Sequence, residues 1–151
     1  MDLEDLAQKA QKNQKLKKEE ALFLLRTSDQ QTFRLLSYAN DIRNQYKGNK
    51  IHLCSIINAK SGRCSEDCSF CAQSGHHKTN VQEYPLKSTA EMVSFAKDCA
   101  DKMATTCFSV VTSGKGINSP AELKAVTDTV SGLKQETNMN RCVSLGVLGR
   151  D

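Results

Sequence analysis

The chain has 151 residues, 38% hydrophobic and 25% charged, which suits a soluble protein with one modest core. Its 21 basic against 17 acidic residues give a mild +4, and no apolar run is long enough to cross a bilayer, so no membrane role is expected. The run Lys9, Lys12, Lys15, Lys17 and Lys18 lacks interleaved arginine and aromatic residues; it reads as a solvated helix surface, and no nucleic-acid partner is expected.

Leu3, Leu6, Ala7 and Ala10 follow the helical period, and Glu19 to Leu25 begins a second helical run. Ser28 with Gln31 three positions on is a capping-box signal, succeeded at helical spacing by Phe33, Leu36, Ala39 and Ile42. Lys47-Gly48-Asn49 breaks the pattern. Residues 1–49 are therefore expected to be a helical N-terminal extension that packs against, or closes one end of, the remainder of the chain, and 50–151 a second segment of different character.

Ile51 to Ile57 is short, apolar and flanked by glycine, as a buried strand should be. About thirty residues with little periodicity come next, an unusual length for a loop inside a compact domain and a functional signal. This loop holds Cys64, Cys68 and Cys71, three thiols within eight residues. Thiolates so spaced can close round one metal centre and leave its fourth corner open, which distinguishes a reactive centre from a closed structural site. A zinc site completed by His76 or His77 is the alternative on spacing alone. A ferredoxin-type carrier fits less well, because its cysteine run ends in Cys-Pro and no proline lies near Cys71. Disulfides are disfavoured by the odd count of seven cysteines and by a start, Met1-Asp-Leu-Glu-Asp5, unlike a signal peptide, so a reducing cytoplasmic setting is expected. Metal coordination is expected to supply the order that the loop's few apolar residues do not.

Ser88 to Glu91 is a second capping box, opening an amphipathic helix with Met92, Val93, Phe95, Ala96, Cys99, Ala100 and Met103. Cys107 to Thr112 reads as a second buried strand with Ser113-Gly-Lys-Gly116 as its exit. Ser119-Pro120 with Glu122 is a strong helix start, and Leu123, Val126, Val130 and Leu133 are its expected buried face. Arg141 to Leu145 is a third strand. Alternation of strand and helix implies parallel strands with right-handed crossovers, the beginning of either a doubly wound sheet or a (β/α)8 barrel.

The words round the thiols carry a resemblance. Cys64-x3-Cys68-x-Phe70-Cys71 is similar to the signature of the radical S-adenosylmethionine enzymes. The longer match, from Cys54-Ser-Ile-Ile-Asn-Ala-Lys-Ser-Gly-Arg through Cys64-Ser-Glu-Asp-Cys68 to Cys71-Ala-Gln-Ser74 and Lys78-Thr79, resembles the biotin synthase branch from about Ile51 onward. The resemblance implies an α/β fold, a partial (β/α)8 TIM-type barrel of about three parallel strands, with roughly five of eight strands not in this sequence. It implies a [4Fe-4S] cluster on Cys64, Cys68 and Cys71, S-adenosylmethionine as cofactor, and radical sulfur insertion converting dethiobiotin to biotin. The cofactor carries the hard step, so no side chain is assigned as catalytic. Phe70 would lie beside the adenine; packing within the loop is the other reading. A flavodoxin or ferredoxin is the implied electron donor, and a homodimer the implied full-length assembly.

The family also carries an auxiliary sulfur-donating cluster, commonly a [2Fe-2S] held by three cysteines and an arginine. Cys142 matches its ligand on the third strand, whereas Ser109 stands at the position of the second-strand cysteine, which leaves the auxiliary cluster's type and ligands open. Cys107, two residues earlier, could substitute from the same strand face, or be a core residue. Cys54 and Cys99 are expected in the core, His76 and His77 on the loop surface. The chain taken alone is expected to be an incomplete, inactive portion. The competing class is a small non-catalytic zinc or iron-sulfur protein.

Overall fold

The computed structural model describes residues 1–117 and 119–149; residues 150–151, the end of the expected 50–151 segment, lie outside them. The chain forms two compact units, Met1–Ile51 and His52–Asp151.

In the first unit, α1 (Leu3–Gln11), α2 (Lys18–Leu25) and α3 (Asp29–Lys47) form as the periodicity predicts. Asp2 caps α1, its Oδ1 accepting the Leu3 N–H at 2.7 Å. Leu3, Leu6 and Ala7 are buried and, with Leu35, Tyr38, Ala39 and Ile42, line a small apolar cavity. The stripe expected on α3 is thus half right. Phe33 is 82% exposed and Leu36 56%, because α3 carries two adjacent apolar stripes and the short α1 covers the one running through Leu35, Tyr38 and Ile42. Ser28 occupies the N-cap of α3 but its hydroxyl makes no cap bond; the Gln31 N–H donates instead to the Ser28 carbonyl at 2.9 Å.

The second unit runs β1 (Cys54–Lys60), α4 (Thr89–Met103), β2 (Cys107–Thr112), α5 (Pro120–Glu136) and β3 (Asn140–Ser144). The three strands are parallel and lie in the order β1-β2-β3, each joined to the next by a crossover helix. This is an α/β fold, the arrangement of a partial (β/α)8 barrel. Ile57, Ala59, Phe108 and Val110 point to one face and form the core with Met92, Ala96, Cys99, Leu133 and Met139. Phe108 and Phe95 pack in an edge-type arrangement, 6.0 Å between centroids with their planes 60° apart. The opposite face carries Cys54, Ile56 and Asn58 of β1, Cys107 and Ser109 of β2, and Cys142 of β3.

Strand 1 begins three residues later than expected and reaches Lys60. Pairing starts where Cys54 meets Cys107, and Asn58 alternates onto the second face with Cys54 and Ile56, a pattern a strand-only apolar count misses. Cys54 is correspondingly exposed, not a core residue, whereas Cys99 is buried as expected. On α5, Leu123 turns out at 47% exposure and Thr129 is buried at the centre of the face, its hydroxyl satisfied by donating to the Ala125 carbonyl at 2.7 Å. Among the described residues no helix is long and apolar enough to cross a membrane.

Candidate metal centre

Where β1 ends, Gly62 takes a positive φ of 82°, and a Cβ there would collide with the Glu83 side chain; glycine lets the chain turn from the strand into the cysteine loop. The loop is tied to the sheet at both ends. Ser61 and Tyr84 form an antiparallel bridge, with N–H to carbonyl distances of 3.1 and 3.2 Å, and the Lys87 N–H donates to the Ala59 carbonyl at 2.8 Å. The Tyr84 hydroxyl donates to the Asn58 carbonyl at 2.8 Å, and the Ser113 hydroxyl reaches from the end of β2 to the Gly62 carbonyl at 2.8 Å. Inside the loop the Gln73 amide oxygen accepts from the Ser61 hydroxyl and the Gly62 N–H. Cys64 is held in a short parallel bridge to Ser74, its N–H donating to the Gln73 carbonyl at 3.0 Å and its carbonyl accepting the Gly75 N–H at 2.8 Å. The Cys71 N–H donates to the Cys68 carbonyl at 2.9 Å, closing the turn between the second and third thiols.

Polar side chains and backbone bonds thus tie this loop to the sheet and to itself. Of these, Gln73, Tyr84 and Ser113 were not legible as supports, although Gln73 lies in the Cys-Ala-Gln-Ser word.

Cys64, Cys68 and Cys71 line one cleft of about 520 Å³ at the C-terminal ends of the strands, opposite Val111, Thr112 and Ser113 and the turn at Gly146. In a (β/α)8 barrel this end carries the active site. All three are free thiols, Cys64 and Cys71 half-buried and Cys68 exposed. Glu66 and Lys115 face one another at the same cleft, 3.8 Å apart. Among the described residues no three His, Cys, Asp or Glu side chains converge as ligands of a single ion do. Three thiols lining one cavity are soft donors of the kind that both iron-sulfur clusters and zinc take.

The histidines do not complete a fourth corner. His76 Nε2 lies 3.1 Å from the Ser65 carbonyl and His77 Nε2 3.0 Å from the Cys68 carbonyl, so both rings tether loop backbone. His77 also lies 3.6 Å from Asp67 and is only partly exposed, unlike the surface position expected of it. Phe70 is 94% exposed, which removes loop packing as its role.

Ser109 and Cys142 are register partners on β2 and β3, placed on the open face one pair deeper than the cleft. Ser109 is buried and Cys142 exposed. Cys107 is half-buried on this face, directly opposite Cys54, and so is not the core residue it could have been. Interaction with the adjacent Cys54 thiol, then burial, then proximity to Cys142, holds the Cys107 thiol above its ordinary pKa.

The chain is similar to curated biotin synthases across most of its length. It is 44% identical over 129 residues to the biotin synthase of Geotalea uraniireducens, 43% over 143 residues to that of Clostridium perfringens, and 38% over 151 residues to that of Geotalea daltonii. These matches cover 85%, 95% and 100% of this chain but only 39%, 43% and 46% of the relatives, so the chain spans less than half the length of the proteins it matches. No family model matches it.

Proposed function

We propose that the chain is the amino-terminal portion of a biotin synthase-like radical S-adenosylmethionine enzyme, with the cluster-binding segment complete and the substrate-enclosing strands lying outside this sequence. The observation that carries the reading is the gathering of Cys64, Cys68 and Cys71 round one cleft at the C-terminal strand ends, in a chain 38–44% identical to biotin synthases. In this reading the three thiolates hold a [4Fe-4S] cluster, which when bound supplies the low-potential electron that cleaves the sulfonium of S-adenosylmethionine.

The chain's own residues position and shield. Gln73 and Ser113 hold the start of the loop against the sheet, and the half-buried settings of Cys64 and Cys71 limit access of water to their thiolates. Exposed Phe70 is available to stack on the adenine, the role the family pattern gives that position. Dethiobiotin as sulfur acceptor, a flavodoxin or ferredoxin as electron donor, a homodimer as the full-length state and a cytoplasmic setting belong to the same proposal. The serine at position 109 departs from the common auxiliary-cluster pattern, because a neutral hydroxyl is a far poorer iron ligand than a thiolate.

Anaerobic reconstitution with iron and sulfide tests the reading. Changing Cys64, Cys68 or Cys71 to Ala should each lower bound iron by about four per chain and reduce the broad visible absorption. Full iron content in Cys64→Ala, or a colourless chain that takes up one zinc instead, would refute it and leave the small metal-binding protein as the reading.

A further inference from the structure

Cys54 opens β1, Cys107 opens β2, and the two are register partners across the parallel pair. The register is pinned at this point: the Thr106 and Cys107 N–H groups both donate to the Leu53 carbonyl, at 2.9 and 3.1 Å. Both cysteines belong to the open face, because the alternate residues Ile57, Ala59, Phe108 and Val110 are packed in the core. Cys54 is exposed, Cys107 is half-buried, and neither is in a disulfide. Exposure is unusual for a residue type that is ordinarily among the most buried.

Distance singles out this pair among the thiols of the sheet. Neighbouring strands lie about 4.8 Å apart and rise about 3.3 Å per residue. Directly opposed cysteines therefore fall within the Cα separation of about 4.4–6.8 Å that a disulfide spans. Cys142 stands opposite Ser109, two residues beyond Cys107, which puts it about 8 Å from Cys107 and more than about 10 Å from Cys54, too far to be bridged. The loop thiols line the cleft at the other end of the strands, and β1 alone runs about 20 Å from Cys54 to Lys60. The two opposed thiols already act on one another, since interaction with Cys54 is the first cause of the raised pKa of Cys107. The Cys54 thiol has only a weak 3.7 Å bond to the Ser55 carbonyl to give up on turning to its partner.

We infer that Cys54 and Cys107 form a reversible dithiol–disulfide pair, closed by an oxidant of the peroxide class and reopened by a small thiol. The exposed Cys54 sulfur attacks one peroxide oxygen, the O–O bond breaks, and a sulfenic acid forms as water leaves. The Cys107 sulfur then displaces the hydroxyl group from Cys54, making the S–S bond and releasing a second water. Two thiol hydrogens and two electrons thus pass to the peroxide. Reopening returns two electrons from a small thiol such as glutathione, which is itself oxidised to its disulfide. A disulfide made by exposed sulfurs is readily reduced, which suits a switch and not a permanent staple. The pair shares no residue with the loop site and does not depend on the radical chemistry proposed for it.

The full 151-residue chain provides the test. It is freed of metal by a chelator under reductant, treated in dilute solution with a few equivalents of hydrogen peroxide, blocked with iodoacetamide and mapped by mass spectrometry without reduction. A peptide joining Cys54 to Cys107 within one chain should appear, at least about tenfold more abundant than any joining Cys142. Dithiothreitol should remove it and make both thiols open to alkylation again. Cys142→Ser should leave the cross-link unchanged and Cys107→Ser should abolish it. The chain carrying Cys64→Ala, Cys68→Ala and Cys71→Ala repeats the measurement without loop thiols competing for oxidant; the wild-type map needs no substitution and decides the matter if that variant does not fold. Cys54 and Cys107 both still alkylated after oxidation, Cys54 joined instead to Cys142 or to a second chain, or sulfinic acid that dithiothreitol does not reverse would each overturn the inference. The same cross-link in a chain that fails to bind iron at the loop would uphold this inference while refuting the loop assignment.

Discussion

Gln73 shows how one neutral side chain can set the shape of a metal loop. Its amide oxygen collects the Ser61 hydroxyl and the Gly62 N–H where β1 turns away from the sheet. Gln73→Ala leaves both donors short of a partner at a partly buried position, a cost of about 1–3 kcal/mol. The expected outcome is a lowered thermal midpoint for the second unit and slower iron uptake at the loop thiols, monitored by absorbance during reconstitution; unchanged uptake would mean that the loop is shaped by metal alone. The thiols themselves were legible because their spacing is a ligand pattern in its own right. Gln73, Tyr84 and Ser113 were not, since their partners, mostly backbone groups, lie 11 to 51 residues away and are brought near only by the fold. Cys54 was misread for a related reason: an isoleucine-rich strand looks buried on both faces until its register shows that one face is open.

At the scale of elements, every helix and strand of the second unit was legible, because the capping boxes and the alternation of strand and helix are local signals. Ser88 accepts the Glu91 N–H while the Glu91 carboxylate accepts from the Ser88 N–H and hydroxyl at 2.9 and 2.6 Å. Ser88→Ala should lower stability by about 1 kcal/mol in denaturant titration. Those hydrogen bonds, the hydroxyl first, hold the Glu91 carboxyl below its ordinary pKa. A depressed folded pKa contributes stability above the unfolded value and loses it as pH falls through the folded one, so the gap between wild type and Ser88→Ala should narrow below about pH 4. A gap that widens on acidification would contradict the capping geometry. What local signals could not give was which stripe of α3 is covered, or that Thr129 sits at the centre of α5, because both depend on the neighbour. Phe108, fully buried on β2 and packed in an edge-type pair with Phe95, is the test of that core: Phe108→Ala should cost about 3–5 kcal/mol, seen as loss of a cooperative thermal transition.

For the whole molecule, the sheet presents an open face and, among the described residues, β3 pairs only with β2. All five β3 residues are exposed, Val143 at 41%. A parallel strand so placed offers unpaired backbone groups and apolar surface to another chain, so the 151 residues alone should self-associate, with light scattering rising at low micromolar concentration. Three strands do not complete the layered core of an eight-stranded barrel, nor enclose S-adenosylmethionine and dethiobiotin against water. An anaerobic assay with dithionite and both compounds should therefore give no biotin above the enzyme-free background, with at most slow release of 5′-deoxyadenosine. The claim on which the rest depends is that the loop thiols bind a cluster and leave one iron open to S-adenosylmethionine. Electron paramagnetic resonance of the dithionite-reduced, reconstituted chain, with Cys54→Ser, Cys107→Ser and Cys142→Ser removing the sheet thiols, tests it most directly. The spectrum should be that of a reduced [4Fe-4S] cluster and should change on addition of S-adenosylmethionine; a spectrum indifferent to S-adenosylmethionine, or no cluster signal at all, would contradict it.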